Sequence, residues 1–179
     1  MKQLEEFCEQ LESARLVGWD ELPDIELYRD QVIGYMSRQQ PLQKESDYLT
    51  AAMVNNYTKN NMLPRANGKK YNKEHLAYLT AILSLKQVLS VSETDQLIKL
   101  LSDGADAEKF YRTFSERFGD SMAYAGNYLR EKQNGDLSEL AMQYALSAYA
   151  SKMICQHLLE MLQGDKKAEA ETENKPENK

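Results

Sequence analysis

Residues 50–101 read TAAMVNNYTKNNMLPRANGKKYNKEHLAYLTAILSLKQVLSVSETDQLIKLL, and this stretch decides the fold. Thr50 is suited to cap a helix, because its hydroxyl can accept a hydrogen bond from an amide of the first turn. The helix would run from Ala51 to about Asn60, where Asn60 and Asn61 favour a turn over a helix interior. A short polar helix is therefore predicted at the start of the stretch.

The next ten residues predict a small extended wing. Pro64 is incompatible with a helix interior. Asn67 followed by Gly68 is a strong signal for a tight hairpin turn. Tyr71 then supplies an apolar anchor. Residues 62–71 should therefore leave the helix, turn once and return as a strand.

Two further helices should follow the wing. Asn72 is placed to cap a helix over about 73–89, and this segment is apolar on nearly all sides, as in a central buried helix. Ser90 and Glu93 have the spacing of a capping box for a helix over about 91–102. The order of elements is thus helix, wing, helix, helix.

The segments on either side are also helical by their apolar spacing. Pro23 is predicted to open a second N-terminal helix that carries Ile25 and Tyr28 on its apolar face. After Gly104, the Gly119-Asp120 pair is expected to separate two aromatic-rich helices. A long helix over about 137–163 follows Asn134-Gly135, and the polar residues from Gly164 onward are expected to be disordered.

Composition places limits on function. The chain has 179 residues and a net charge of −6, but the charge is unevenly distributed. Residues 46–101 sum to +3, and no acidic residue lies between Asn55 and Lys73. Such a local basic cluster is what phosphate contact requires, since the interaction is screened beyond about 10 Å. A solvated positive face is the alternative interpretation.

Several other classes of function lack support in the sequence. Cys8 and Cys155 lie far apart in apolar helical patterns, and His75 and His157 have no partner at metal-binding spacing. No Gly-rich phosphate loop and no nucleophile–base arrangement is present, so neither a cofactor nor an enzymatic activity is expected. The absence of a long apolar run and of a leader pattern predicts a cytoplasmic protein without membrane contact.

The helix–wing–helix–helix stretch resembles the DNA-binding half of the MerR family of transcription regulators. Tyr57 corresponds to the second aromatic residue of that family's recognition helix, and Met62-Leu63-Pro64 to its Leu-Leu-Pro step. Asn56 replaces the first aromatic residue and Asn55 replaces an arginine. The resemblance implies a winged helix-turn-helix, in an all-α fold with a small β-wing.

A second resemblance covers more of the chain. The runs LPDIELYRDQV at 22–32, MVNNYTKNNMLP and KKYNKEHLAYL look like an uncharacterised family of Gram-positive bacterial proteins, known as domain of unknown function number 1836. We divide the chain accordingly into N-terminal helices (1–45), a winged helix-turn-helix (46–103), a helical dimerisation or effector region (104–163) and a disordered tail (164–179).

The predicted site would contact double-stranded DNA. Asparagine can bond an adenine edge through both acceptor and donor, and lysine or arginine can reach guanine or phosphate. Tyr57 could instead pack in the core, and the paired lysines could simply be an exposed turn. The candidate DNA-binding residues are Asn55, Asn56, Tyr57, Lys59, Arg65, Lys69 and Lys70.

The long C-terminal helix carries a heptad-like apolar stripe. By resemblance to MerR-type regulators, it would join two chains in a homodimer, although the same stripe could pack within one chain. Its members are Leu137, Ala141, Tyr144, Ala148, Ser151, Cys155, Leu158 and Leu162.

Two further functional interpretations of the sequence remain open. The aromatic residues from Phe110 to Tyr149 could line a pocket for a small-molecule effector, or they could be core. The acidic flanks favour a second function, in which a helical protein-interaction module has kept the winged fold without binding DNA.

Overall fold

The computed structural model describes residues 2–39, 48–132 and 135–173, with side chains as far as Gly164. Within these ranges the chain is mostly α-helical with one small antiparallel sheet, as predicted. The elements are α1 (Lys2–Ser13), β1 (Leu27–Tyr28), α2 (Arg29–Met36), α3 (Ala51–Lys59), β2 (Lys70–Tyr71), α4 (Lys73–Leu85), α5 (Val91–Ser102), α6 (Ala107–Lys132) and α7 (Leu137–Glu173).

Helix α4 lies at the centre of the main core. Its buried residues occur on all sides, from His75 to Leu83, which confirms the prediction of a central helix. Helices α2, α5 and α6 all pack against it. The predicted start at Asn72 is confirmed, but α4 ends at Leu85 rather than near residue 89, and the last residues form a turn.

The segment before α2 differs from the prediction. Pro23 does not open a helix: Ile25 lies in a bend, Tyr28 lies in a strand, and both side chains are exposed. Strand β1 instead pairs with β2, with Leu27 opposite Tyr71 and Tyr28 opposite Lys70. The wing therefore forms its two-stranded sheet with a segment more than forty residues earlier, which connects the N-terminal region to the base of the wing.

Helix α6 is continuous through Gly119, so the predicted break at Gly119-Asp120 is wrong. The continuous helix packs along α1, and the packing is closest at a second glycine, Gly126. A Cβ atom on Gly126 would lie 2.8 Å from Cγ of Glu12 and 3.1 Å from the backbone oxygen of Cys8. Helix α1 thus approaches α6 more closely than any side chain at Gly126 would allow. The glycine is needed for this close helix contact and does not form a turn.

The contact between α1 and α6 also contains ion pairs. Arg130 of α6 hydrogen-bonds both carboxylate oxygens of Glu12, at 2.8 and 3.0 Å, and also bonds Glu5. These groups surround a small second core of Cys8, Leu129 and Leu140.

The change of structure expected at Gly164 does not occur, because α7 continues to Glu173. Residues 174–179 of the predicted tail lie outside the described residues, as do the predicted breaker Asn134 and most of the polar connection 41–49. No helix of the described residues is long and apolar enough to span a membrane.

Candidate nucleic-acid interface

Helix α3 is held in place by its cap and by its apolar side. The Thr50 hydroxyl accepts a hydrogen bond from the amide of Met53 at 3.3 Å, which confirms the predicted cap. Val54 is fully buried in the main core. Because one side of α3 is fixed in this way, the opposite side is presented to solvent in a defined orientation.

The exposed side of α3 carries the predicted polar residues. Asn55, Asn56 and Lys59 are all exposed. The Asn56 side-chain oxygen accepts a hydrogen bond from the Asn60 amide group at 3.1 Å, which orients Asn56 along the helix end. Asn55 and Lys59 are four residues apart and therefore neighbours on one helix face.

Tyr57 is placed differently from the prediction of a DNA contact. Its side chain is only 3% exposed and belongs to the main core. Burial raises the pKa of its hydroxyl above the ordinary value. The structure therefore assigns Tyr57 to packing, and we remove it from the candidate interface.

The end of α3 turns sharply into the wing. Asn61 has a φ of +55°, a left-handed conformation that asparagine tolerates better than most residues. The amides of Met62 and Leu63 both donate to the Tyr57 carbonyl, at 2.9 and 3.2 Å, and both side chains are buried. This anchor sets where Pro64 and Arg65 emerge at the surface.

The wing turn forms where the sequence predicts it. Asn67 and Lys70 exchange two backbone hydrogen bonds of 3.1 Å each, and Gly68 has a φ of +63°. A side chain at Gly68 would be strained in that conformation. The turn holds Lys69 at its tip, where the side chain is exposed.

The cations of this surface are not equivalent. Lys70 donates to Glu26 at 3.1 Å, and this hydrogen bond raises the pKa of the lysine. Lys70 is therefore partly neutralised at the junction of β1 and β2. Lys59, Arg65 and Lys69 form no side-chain ion pair with any residue that the structure describes.

One cation of the surface was missed by sequence reasoning. A groove of about 390 Å³ separates the wing from the start of α2, and Arg29 and Lys69 both line it. Arg29 lies beside the wing only because β1 pairs with β2. A pairing between such distant two-residue strands leaves no periodic signal in the sequence, so nothing in the sequence indicated Arg29.

His75 supports the base of the wing from beneath. It is buried, its Nδ1 atom accepts a hydrogen bond from the Asn72 amide at 3.1 Å, and the Tyr71 ring meets it edge-on at 5.2 Å. Burial lowers the pKa of His75, and the nearby backbone carbonyls of Arg65 and Pro64 offset part of that effect. The neutral imidazole is therefore the form that the fold favours.

We expect the folded state to lose stability as the pH falls through 6.5, the ordinary pKa of a histidine side chain. Below that pH, His75 binds a proton in the unfolded chain but stays neutral in the folded chain, where its pKa is lower. The free energy of unfolding therefore decreases. Urea unfolding at several values between about pH 7.5 and 5.5 measures the loss. His75→Gln should remove most of it, because glutamine keeps the capping box without titrating.

His157→Gln is the matched control, since His157 is exposed on α7. This variant should keep the pH dependence of the original chain. If the stability of His75→Gln kept the pH dependence of the original chain, His75 would not be the source of that dependence.

The predicted dimerisation stripe lies on one side of α7, but its members differ in burial. Tyr144 and Cys155 are half-buried, and the Tyr144 hydroxyl donates to the Ala125 carbonyl at 3.3 Å. The other predicted members are exposed: Leu137, Ala141, Ala148, Ser151, Leu158 and Leu162.

The aromatic residues at the start of α6 belong to the core. Phe110 stacks on Tyr78 with ring centres 5.3 Å apart, and the Tyr111 hydroxyl donates to the Val17 carbonyl at 2.7 Å. A cleft of about 170 Å³ lies beside Phe110 and Phe114. It is smaller than the roughly 300–1,000 Å³ of most ligand pockets, and the effector stays a prediction.

Fold and surface together define a small helical domain whose polar helix and wing are clamped to the core by a strand from the N-terminal region. The family described as "Domain of unknown function (DUF1836)" matches residues 17–114. The chain belongs to this family, and the matched range contains β1, α3, the wing and the core helix α4. No curated protein and no solved structure matches the chain.

Proposed function

We propose that this chain is a DNA-binding transcription regulator of MerR-like type that acts as a homodimer. The observation that carries the proposal is the exposed face of α3. Asn55 and Lys59 are presented there by a helix whose other side is locked into the core. Arg65 and Lys69, which form no ion pair with a described residue, follow directly on the wing.

The order of elements supports the same function. Helix α2 contacts α3, and the second of two such helices is the one that enters the major groove in helix-turn-helix proteins. The wing follows α3 and is braced against the start of α2 by the β1–β2 pair. The connection between α2 and α3 is longer than the usual three or four residues, and its middle lies outside the described residues.

The chemistry of the face suits a duplex. Asn55 can bond a base edge with its amide, since asparagine offers an acceptor and donors that match adenine. Lys59, Arg65 and Lys69 can neutralise phosphates on either side of a groove. Lys70 would contribute less, because Glu26 already holds its ammonium group.

A homodimer would allow the small exposed face of α3 to recognise a specific DNA sequence. One short recognition helix makes few base contacts, whereas two heads read two half-sites together. The chain is proposed to work without catalysis or a cofactor, and the expectation that it is not an enzyme stays a prediction.

A protein-interaction module is the second candidate function. Ile25 and Tyr28 are largely exposed next to the wing, at 67% and 55%. Exposed apolar residues beside a paired Lys70–Glu26 could receive another protein rather than a nucleic acid. A stoichiometric protein complex formed at this surface, with no DNA retention, would favour this alternative.

Fluorescence anisotropy on labelled fragments from the chain's own genomic neighbourhood tests the first proposal. Contacts from three cations should make the logarithm of the dissociation constant rise with the logarithm of salt concentration, with a slope of about 0.9 for each neutralised phosphate. We expect a slope of at least about 3. No binding at low salt, or binding that salt does not weaken, would count against DNA recognition.

A further inference from the structure

The cleft of about 170 Å³ beside Phe110 and Phe114 lies between the end of α5 and the first half of α6. Leu101 and Ala105 form one side of it, and the α6 residues from Lys109 to Arg117 form the other. No residue of α3 or of the wing lines it, so the proposed DNA contact does not use this surface. We call this recess the α5–α6 cleft.

The inside of the α5–α6 cleft is apolar and partly open. Phe110 is buried and stacks against Phe114 with ring centres 6.2 Å apart, while Leu101 is 48% exposed. The volume is close to that of an engineered cavity of about 150 Å³ that holds benzene. The cleft therefore has room for one ring or one branched aliphatic side chain.

Two cations stand on either side of this apolar recess. Lys109 and Arg117 are eight residues apart on the continuous helix α6, which separates them by about 12 Å along the helix axis. Lys109 forms no ion pair with a residue that the structure describes. Arg117 has an exposed contact with Asp120 at 3.6 Å, and an exposed pair of this kind contributes little to stability. Both cations are therefore accessible to an anionic partner.

We propose that the α5–α6 cleft binds an acidic amphipathic helix of a partner protein. The partner helix inserts one aromatic or leucine side chain between Leu101 and Phe114. Carboxylates four residues before and four residues after that side chain pair with Lys109 and Arg117. These carboxylates are also eight residues apart on a helix, so their spacing of about 12 Å matches the spacing of the two cations. An apolar anchor in a groove is the usual way in which a helix is recognised by another protein.

The charges and the size of the cleft favour a helix over a small anion. A ligand small enough for the cleft brings one carboxylate to one cation, whereas cations about 12 Å apart require two separate anionic groups. The lining contains both cations and, among the described residues, no carboxylate. Duplex DNA would satisfy the cations, but its polar backbone has no side chain that fills an apolar recess.

The inference goes beyond the proposed function and does not rest on DNA binding. It adds a protein partner at a surface separate from the polar face of α3. This surface is also separate from the exposed Ile25 and Tyr28 of the second candidate function. DNA binding and helix binding can therefore fail independently of each other.

NMR titration of the isotope-labelled full chain with a synthetic peptide tests the proposal. The probe is a capped peptide of alanine and glutamine, about 17 residues long, which is enough for a helix to form. It carries glutamate, phenylalanine and glutamate at successive spacings of four residues. We expect saturable shifts of amide signals from residues 101–117, with a dissociation constant below about 1 mM. No saturable shift in this region up to about 5 mM peptide would overturn the proposal.

Exchanging the charges gives the most specific result. Lys109→Glu with Arg117→Glu should weaken binding of the acidic peptide at least about tenfold, because two attractions become repulsions. The same variant should bind a peptide that has lysine in place of both glutamates, and the original chain should not bind that peptide. Lys2→Glu with Lys132→Glu is the matched control, since it makes the same change of net charge on exposed residues away from the cleft. Equal weakening in the control, or no preference of the reversed variant for the lysine peptide, would contradict the assigned ion pairs.

Two further probes separate the other occupants. A peptide with alanine in place of phenylalanine should bind at least about tenfold more weakly, because it leaves the recess unfilled. Phenylacetate should also bind more weakly than the peptide, since it reaches one cation only. Phenylacetate that binds as tightly as the peptide would make the cleft a small-molecule site. A large loss of DNA affinity in Lys109→Glu with Arg117→Glu would make it a phosphate-contacting surface, and either outcome would overturn the proposal.

Discussion

Reversing two charges, Lys59→Glu with Lys69→Glu, should weaken DNA binding at least about 100-fold at low salt, because attraction to phosphate becomes repulsion at two points. The two lysines lie at the exposed end of α3 and at the tip of the wing, and neither is paired with an acidic residue that the structure describes. No carboxylate of the described residues therefore competes with phosphate for these two lysines. The salt slope should fall by about 2 for each head that contacts the duplex, one for each lost phosphate contact.

Two controls make this result specific. Lys109→Glu with Arg117→Glu makes the same double reversal on the exposed surface of α6, and it should change affinity only slightly. Lys70→Met removes a lysine that Glu26 already engages, so its effect should be smaller than that of Lys69→Met. Equal losses in the α3–wing and α6 reversals would indicate a response to net charge alone. The basic face would then lose its role as the contact surface.

The sequence predicted the local elements of residues 50–101 well. Thr50, Asn72 and Ser90 each cap the helix that they were expected to cap. Such signals succeed because a cap depends on a side chain and an amide only three residues apart. The turn at Gly68 succeeded for the same reason, since its positive φ is a property of the residue itself.

Features that depend on distant partners were not predicted. The β1–β2 pair joins residues 27–28 to residues 70–71, and each strand is too short to show alternation. Gly119 was expected to break the helix, but α6 continues through it and packs closely on α1 at Gly126. In both places tertiary contact decides the structure, and local propensity does not.

The same distinction between local and long-range features applies to the candidate site residues. Asn55 and Lys59 were correctly predicted to share an exposed face, because helical spacing alone determines that. The pairing of Lys70 with Glu26 required β1 to be placed first. The faces of α7 that pack on the rest of the chain could not be chosen from the sequence, because a helix that is apolar on most sides satisfies a heptad pattern along more than one stripe.

Tyr57→Ala should lower the free energy of unfolding by about 3–5 kcal/mol, the usual cost of truncating a large buried aromatic side chain. Tyr57 is almost completely buried, and it lies between the fully buried Val54 and the anchor formed by Met62 and Leu63. Its loss would leave a cavity under α3, so the exposed polar face of this helix would lose its support. Urea unfolding monitored by circular dichroism measures the change.

Tyr57→Phe separates packing from DNA contact. It removes only the hydroxyl, so a packing role predicts nearly unchanged affinity for DNA. A hydroxyl bonded to phosphate would instead make the variant weaker by about tenfold or more, since a hydrogen bond to a charged group contributes roughly 1.5–3 kcal/mol. Loss of DNA affinity in Tyr57→Phe with unchanged stability would return Tyr57 to the interface. An unchanged affinity would leave recognition to the polar face of α3 and to the wing.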